Sequence, residues 1–264
     1  MSGVVPKAAA TVMLARDGSE GVEVFMMERS AFGMFGGLWV FPGGKVDTAD
    51  AGAAATALCR APSLLEANLT LNVPAGGLAY WVAALRECFE EAGLLLATRE
   101  NGGLLELRDP DVRKRLGADR ARLNAGEKGA LEDLCAREGL TLATDRLAYV
   151  AHWITPMDNP SRYDTRFFVA LAPEHQEAIH DGHEAVHSEW IRPEDALARN
   201  EGGEMPMISP TLTNLKAMCG YRSAEALVHA KAEVDPRGIP TILPRVVRRG
   251  EKPEDWEERL DIVG

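Results

Sequence analysis

The chain has 264 residues, of which 46% are hydrophobic and 26% are charged, a length and composition that favour one large domain with its own core. The formal net charge is -11 and the sequence pI is about 5.1, which argues against a protein that binds duplex nucleic acid by neutralising phosphates. An acidic protein that handles a polyanion needs local arginines or a metal ion to offset its own charge.

The cysteine pattern favours a reducing compartment, and the chain ends resemble no targeting signal. No two of the four cysteines form a CxxC pair, which argues against a zinc site and against a dense disulfide scaffold. The apolar run near the N-terminus is too short for a signal peptide or a membrane span, and the final DIVG resembles no retention or peroxisomal signal. We therefore expect a cytoplasmic protein that does not enter a membrane.

The first predicted elements are two β-strands, at residues 8–16 and 21–29, around the turn DGSEG. A glycine-rich stretch, residues 32–44, comes next and ends in Pro42-Gly43-Gly44, a strong signal for a loop. Residues 51–79 are rich in alanine and then carry NLTLNVPAGG, a composition that predicts a helical excursion with a loop.

The best-defined element is a helix within residues 79–96. Apolar residues recur there at helical spacing, and Gly93 supplies a C-terminal stop. A second helical segment, residues 108–143, is highly charged and starts at Asp109-Pro110. We expect this segment to be an insert rather than part of the sheet.

Strand character returns after the second helical segment, at residues 147–154, 165–171 and 187–191. Pro193 opens a short helix, and two further helices, SPTLTNLKAMC and SAEALVHAKAEV, are each preceded by a serine able to cap them. An extended GIPTILPRVV and a polar end complete the chain. Strands and helices in this order predict a mixed α/β domain with helices on both faces of the sheet.

Three glutamates in LRECFEEAG form a candidate metal site. Glu87, Glu90 and Glu91 lie at i, i+3 and i+4, so their carboxylates project from one face of the helix, and Arg86 can pair with Glu90. Solvated charges on an amphipathic helix are the alternative, but like charges at i,i+4 destabilise a helix by roughly 0.2–0.5 kcal/mol per pair unless something offsets them. Mg²⁺ does so, because carboxylate oxygens are its protein ligands.

The glycines before the helix and the acids on it resemble the two halves of the Nudix hydrolase signature. That signature reads glycine, five residues, glutamate, seven residues, then REUXEEXGU, where U is a bulky aliphatic residue. The second half matches from Arg86 to Leu94, with Cys88 at the first U. The first half matches at Gly44, with Asp50 in place of the glutamate.

The spacer separates this chain from the usual signature. Residues 51–85, 35 in number, lie between Asp50 and Arg86, which is 28 more than the usual seven. A flexible insert of that size adds only about 1–2 kcal/mol of closure entropy, so the two halves can still meet. Together with AHWITP, RYDTRFFVAL and SEWIRPEDAL, the insertion is similar to the Nudix branch of the animal peroxisomal enzymes that cleave coenzyme A and acyl-coenzyme A.

The resemblance implies an α/β fold, a Nudix-type α/β/α sandwich with a mixed sheet. We expect a single domain over residues 1–264, with its core at about 6–203. Helical inserts are expected at about 51–79 and 100–145, and a helical C-terminal extension at about 204–264. That extension could cover the pocket or build the interface of a homodimer.

The resemblance also implies hydrolysis of a diphosphate bond in a nucleoside diphosphate derivative, with Mg²⁺ or Mn²⁺ as the cofactor. The implied metal ligands are three carboxylates and a backbone carbonyl of Gly43 or Gly44, that is Glu87, Glu90, Glu91 and Gly44. The implied catalytic residues are a base and an arginine that orients a glutamate, drawn from Glu87, Glu90 and Arg86. Glu184 is an alternative base or a solvated loop acid, and Asp50 is expected to have a structural role.

For the substrate, aromatic side chains could stack on a base and arginines could bind phosphate. Core packing is the alternative for each aromatic residue. The candidates in addition to the three that we select are Phe32, Phe35, Arg162 and Tyr163. The three selected substrate-binding residues are Arg29, Trp39 and Arg166.

Three functions compete. The leading hypothesis is a metal-dependent Nudix diphosphatase acting on coenzyme A or an acyl-coenzyme A. A pyrophosphatase for nucleoside triphosphates is the alternative of the same class, and a non-catalytic Nudix module that binds a nucleotide is the alternative of another class. The intact pair of adjacent glutamates disfavours the module, because loss of metal binding would relax the need for three acids on one face.

Overall fold

The computed structural model describes residues 4–31 and 35–263. Its strands are β1 (Lys7–Asp17), β2 (Val22–Arg29), β3 (Trp39–Val40), β4 (Gly43–Lys45), β5 (Ala97–Thr98), β6 (Thr141–Leu142), β7 (Ala148–Ile154), β8 (Tyr163–Leu171), β9 (Ala185–Ile191), β10 (Thr241–Arg248) and β11 (Glu257–Val263). Its α-helices are α1 (Ala53–Ala57), α2 (Leu64–Leu71), α3 (Leu78–Ala92), α4 (Pro110–Asn124), α5 (Ala130–Glu138), α6 (Pro193–Glu201), α7 (Ser209–Lys216) and α8 (Ala224–Ala232).

Within the described residues, nine strands form one mixed sheet in the order β11-β10-β7-β8-β1-β2-β3, with β4 on β1 and β9 on β2. The pairs β1/β8 and β7/β10 are parallel, and the other pairs are antiparallel. Strands β4 and β2 pair with different parts of the same edge of β1, at residues 9–11 and 15–17 respectively, and the sheet splits between them. The glycines of the first half-signature lie in this split. The predicted mixed sheet is confirmed.

Helices cover both faces of the sheet, as the α/β/α prediction requires. Alternation along β1 sends Val12 and Leu14 to one face and Met13 to the other. The first face packs against α3, whose Leu85, Cys88 and Phe89 are buried. The second face packs against the C-terminal extension through residues that include Leu215 of α7 and Leu227 of α8. The site helix therefore rests on a rigid, two-sided core.

Helix α3 ends where the sequence predicts. Its C-cap is Gly93, which adopts a left-handed conformation with φ of 71°, a conformation that glycine adopts without steric cost. The next two residues, Leu94 and Leu95, are apolar and are buried outside the helix.

Both predicted inserts are helical. The first contains α1 and α2, and α2 begins with a capping box in which Ser63 and Glu66 bond each other's backbone N–H groups. The second contains α4 and α5, and Asp109 caps α4 by accepting from the N–H of Asp111 at 2.8 Å. Strands β5 and β6 pair with each other where this second insert leaves and rejoins the core.

The C-terminal extension contains the two predicted helices, but it is not helical throughout. Its polar end forms β11, which pairs with β10 and places a two-stranded hairpin at the edge of the sheet. Edge strands commonly carry many charged residues, as β11 does, and this composition is why the sequence predicted a polar tail here and not a strand. Ser223 caps α8 as expected, whereas Ser209 lies inside α7 and donates to Glu258 instead.

None of the helices in residues 4–31 and 35–263 is long and apolar enough to cross a lipid bilayer.

Candidate active site

Arg86 binds the acids of both halves of the signature. Its Nε and Nη2 donate to the two oxygens of Asp50, each at 2.9 Å, and its Nη1 donates to Glu87 at 2.9 Å and to Glu90 at 3.1 Å. Its Nη2 also donates to the carbonyl of Lys45 at 2.8 Å. The arginine side chain is 12% exposed, so a single, mostly buried guanidinium holds three carboxylates in place.

Asp50 joins the start of the first insert to α3. Its side chain is 2% exposed, and Oδ2 accepts from the N–H of Asp47 at 2.7 Å as well as from Arg86. These contacts agree with the structural role expected for Asp50. They also bring together the two halves of the signature, which the long spacer separates in the sequence.

The two glycines of FPGG let the backbone approach the acids closely. A Cβ on Gly44 would lie 2.5 Å from Cδ of Glu87, so any side chain there would displace the carboxylate. A Cβ on Gly43 would lie 2.4 Å from the carbonyl oxygen of Ala10 in β1. The N–H of Gly43 donates to Oε2 of Glu91 at 2.8 Å, which fixes that acid against the split in the sheet.

Burial raises the pKa of all three glutamates of α3. For Glu87 the effect of burial exceeds the opposing attraction of Arg86, and for Glu90 the same balance raises the pKa to about 7. Burial raises the pKa of Glu91 well above its ordinary value, and the charge of Glu87 adds to the effect. Arg86 alone therefore does not offset the cost of ionising these acids.

The donors of this cluster suit a hard divalent cation. Among the described residues, no three His, Cys, Asp or Glu side chains already converge as metal ligands, and Glu87 and Glu90 bond Arg86 instead. Carboxylate oxygens and a glycine carbonyl are nevertheless the oxygen donors that Mg²⁺ prefers. A cation bound here would also offset the raised pKa values, so the residues present fit the predicted Mg²⁺ or Mn²⁺.

A cavity of about 870 Å³ opens beside the glutamates. Its near walls come from β1, from the FPGG glycines and from α3, and the loop between α4 and α5 lines another side. From there the cavity passes β7 and β8 and reaches the C-terminal extension. A volume of this size lies near the top of the range of roughly 300–1,000 Å³ for small-molecule sites, so it suits a substrate with several parts.

Among the predicted substrate residues, Arg29 lies in the cavity wall. Its Nη2 is 3.5 Å from Oε2 of Glu184, which also lines the cavity with a side chain 64% exposed. Phe35 and Tyr163 line the same cavity, whereas Phe32 lies outside the described residues. Arg29 and Glu184 thus line the same cavity as the glutamates of α3.

Trp39 and Arg166 do not line this cavity, and their contact with substrate remains a prediction. Trp39 is buried in the core and packs edge-on against His187 at a centroid distance of 5.4 Å. Arg166 is buried on the opposite face of β8 from Thr165 and Phe167, which line the cavity. The side-chain alternation of strands decides this placement, and an arginine in the sequence does not reveal it.

Arg162 also has a structural role. Its guanidinium is buried and donates to the carbonyls of Thr155, at 2.9 Å, and Val4, at 2.8 Å. It therefore closes the loop between β7 and β8 and anchors the N-terminal segment.

Sequence reasoning missed Arg120 of α4, which supports the C-terminal end of α3. Its Nε donates to the carbonyl of Glu90 at 2.9 Å, and its Nη2 donates to the carbonyls of Glu91 and Ile179, each at 2.8 Å. The two glutamate carbonyls lack partners within the helix, so the arginine supplies the hydrogen-bond donors that the C-terminal end of α3 needs. No local pattern links residues this far apart in sequence.

Two comparisons place the chain among known proteins. The NUDT19 Nudix domain family matches residues 59–218. The chain is 28% identical over 254 residues to the acyl-coenzyme A diphosphatase NUDT19 of Gallus gallus, an alignment that covers 84% of this chain and 67% of that protein. It is 26% identical over 240 residues to the putative nudix hydrolase 7 of Caenorhabditis elegans, with 89% and 69% covered.

A solved structure agrees with these relatives. The crystal structure of a NUDIX hydrolase from Alicyclobacillus acidocaldarius superposes with a TM-score of 0.66 at 27% identity. The match covers 86% of this chain and 96% of that one, so the likeness is not limited to the segment that carries the two half-signatures.

Proposed function

The chain belongs to the NUDT19 Nudix domain family and is a Nudix hydrolase, and we propose that it cleaves the diphosphate bond of coenzyme A or an acyl-coenzyme A with the help of a divalent cation. The observation that carries the proposal is the cluster in which Arg86 holds Asp50, Glu87 and Glu90 beside the FPGG glycines, at the end of a large cavity. Both halves of the signature are thereby assembled.

Each residue of the cluster has a role in the proposed reaction. Glu87, Glu90 and Glu91 would hold Mg²⁺ or Mn²⁺ together with the carbonyl of Gly44. Arg86 holds Glu87 and Glu90 through Nη1 in the chain without a cation, and it would keep the two carboxylates close together when the cation binds. When bound, the cation supplies a counter-charge for the diphosphate and favours deprotonation of an attacking water.

Two glutamates of the same cluster are candidate proton acceptors in the proposed reaction. Glu90 is one, because Arg86 holds its carboxylate at 3.1 Å beside the other acids. Glu87 is the other candidate base, because it lies against Gly44 at the cavity wall. Arg29, which lines the same cavity beside Glu184, would bind a phosphate oxygen.

Coenzyme A derivatives are proposed as substrates for two reasons. The relative from Gallus gallus is named an acyl-coenzyme A diphosphatase. In addition, the residues that line the cavity extend from the glutamates of α3 to the C-terminal extension, which leaves room for a second substituent on the diphosphate. The cavity therefore favours a diphosphate with a long second substituent.

A panel assay tests the proposal. The purified full chain is incubated with Mg²⁺ or Mn²⁺ and with coenzyme A, decanoyl-coenzyme A, ADP-ribose, NADH, a diadenosine polyphosphate and nucleoside triphosphates, and the phosphate-containing products are identified. We expect cleavage of the coenzyme A compounds at the diphosphate. Preferred turnover of nucleoside triphosphates would show that they, and not coenzyme A compounds, are the substrates. Binding without turnover of any compound would indicate a non-catalytic module.

A further inference from the structure

Part of the cavity wall is apolar and has no role in the proposed chemistry. We call it the apolar arm and define it by six lining residues: Trp153, Phe167, Ile208, Pro210, Pro244 and Trp256. Two of them belong to β7 and β8, and the other four belong to the C-terminal extension. The arm therefore exists because the extension folds back over the sheet.

Strand geometry explains why these side chains meet. Trp153 of β7 lies directly opposite Thr165 of β8, and alternation along β8 sends Phe167 to the same face. Strand β10 pairs with β7 only at Thr241 and Ile242. Strand β7 ends at Ile154, one residue after the partner of Ile242, so Pro244, which has no N–H to donate, lies in the part of β10 beyond that pairing.

Two ties hold the outer wall of the arm in place. Ser209, at the start of α7, donates from Oγ to Oε2 of Glu258 in β11 at 2.6 Å. The guanidinium of Arg249 lies 4.9 Å from the ring centroid of Trp256 and donates to the carbonyl of Asp158 at 3.1 Å. The hairpin is therefore fixed both to the extension's own helix and to the loop between β7 and β8.

We propose that the apolar arm binds the apolar tail of the diphosphate substrate, an acyl chain in an acyl-coenzyme A, and that Trp256 and Ile208 determine the preference for that tail. The inference rests on the proposed function, since the glutamates fix where the diphosphate lies. From that position the remainder of a long substrate extends along the cavity toward the extension. Apolar surface buried there gains roughly 25 cal/mol per Å², whereas a charged group would lose hydration.

The test compares two substrates that differ only in the acyl group, coenzyme A and decanoyl-coenzyme A. In Trp256→Ala we expect kcat/KM for decanoyl-coenzyme A to fall about tenfold, with coenzyme A changed less than about twofold. Trp256→Phe should retain most of the preference, because an aromatic ring is retained. Val247→Ala is the matched control, since Val247 is an exposed apolar residue of the same hairpin that does not line the cavity.

A direct binding measurement separates this inference from the proposed function. With EDTA present to prevent turnover, the dissociation constants of both compounds are measured for wild type and Trp256→Ala by calorimetry. Tighter binding of decanoyl-coenzyme A by wild type, lost in the variant, supports the arm even if neither compound is hydrolysed and the proposed function fails. Equal affinity for both compounds in wild type, or an equal loss for both in the variant, overturns the inference.

Discussion

At the scale of single residues, the site depends on the geometry of one arginine. A guanidinium presents its donors in a fixed fork, and Arg86 uses that fork to bind Asp50 with two bonds while Nη1 reaches Glu87 and Glu90. The local part of this arrangement was predictable, because an arginine and a glutamate four residues apart share a helix face. The bond to Asp50 could not be predicted, because it joins two residues that are 36 apart in the sequence.

Replacing Arg86 by lysine tests whether the site needs the fixed donor geometry of the guanidinium. Arg86→Lys keeps the charge but cannot bind Asp50 with two bonds and the glutamates as well, so a buried acid loses partners. We expect the free energy of unfolding to fall by about 1–3 kcal/mol and hydrolysis to fall at least about a hundredfold. Chemical denaturation and the coenzyme A assay measure the two effects.

The matched control is Arg16→Lys. Arg16 pairs with Glu23 at the surface, with a side chain 46% exposed, so its loss should cost less than about 1 kcal/mol. An Arg86→Lys protein as stable and as active as the control would show that the fork is dispensable.

The raised pKa of Glu90 gives a pH dependence of stability. Its folded-state pKa of about 7 exceeds its ordinary value of 4.5, so the folded chain binds more protons and loses stability as the pH rises from about 4.5 to 7. Without divalent metal, Glu90→Gln should therefore melt at a higher temperature than wild type at pH 7.5 and at a similar temperature at pH 5. Mg²⁺ should raise the melting temperature of wild type more at pH 7.5 than at pH 5.

Differential scanning fluorimetry with EDTA or with excess Mg²⁺ provides these four comparisons. A shift by Mg²⁺ that is equal at both pH values, or equal in wild type and Glu90→Gln, would contradict a cation that binds the ionised acids.

At the scale of elements, α3 illustrates what a sequence reveals and what it does not. Its span, its acidic face and its end at Gly93 can all be predicted from local spacing, and the structure confirms its span and its end. Its support from Arg120 of α4 cannot, because the contact depends on how the second insert folds back onto the core. Likewise, the face of β8 on which Arg166 lies depends on strand register, so the sequence could not predict that Arg166 lies away from the cavity.

Removing Arg120 should destabilise the C-terminal turn of α3, which carries Glu90 and Glu91. Arg120→Ala leaves the carbonyls of Glu90, Glu91 and Ile179 without their donor, which should lower the free energy of unfolding by about 1–3 kcal/mol. Hydrogen exchange should increase in the last turn of α3. The control is Arg115→Ala on the same helix, where Arg115 pairs with Glu138 through a side chain that is 48% exposed. Equal effects of the two substitutions would contradict the supporting role.

At the scale of the whole molecule, the cavity links parts that the sequence analysis kept separate. The signature halves form one end and the C-terminal extension forms the other, and the loop of the second insert lines a side. The sequence left open whether the extension covers the pocket, because the residues of β11 have the composition of a polar tail and only their pairing with β10 identifies them as a strand. Contacts such as Ser209 to Glu258 arise only when distant segments meet, so they could not be predicted.

The most direct measurement of the central claim is Mg²⁺-dependent hydrolysis of coenzyme A by wild type and Glu90→Gln, with products identified and both proteins shown to be folded by their melting curves. The substitution removes a charge that the proposed cation needs and retains the shape of the side chain. We expect wild type to release the two products of diphosphate cleavage only when Mg²⁺ or Mn²⁺ is present, and Glu90→Gln to be slower by at least about a hundredfold. Equal rates in the two proteins, or full activity of wild type in EDTA, would contradict the claim that these carboxylates catalyse the reaction through a bound cation.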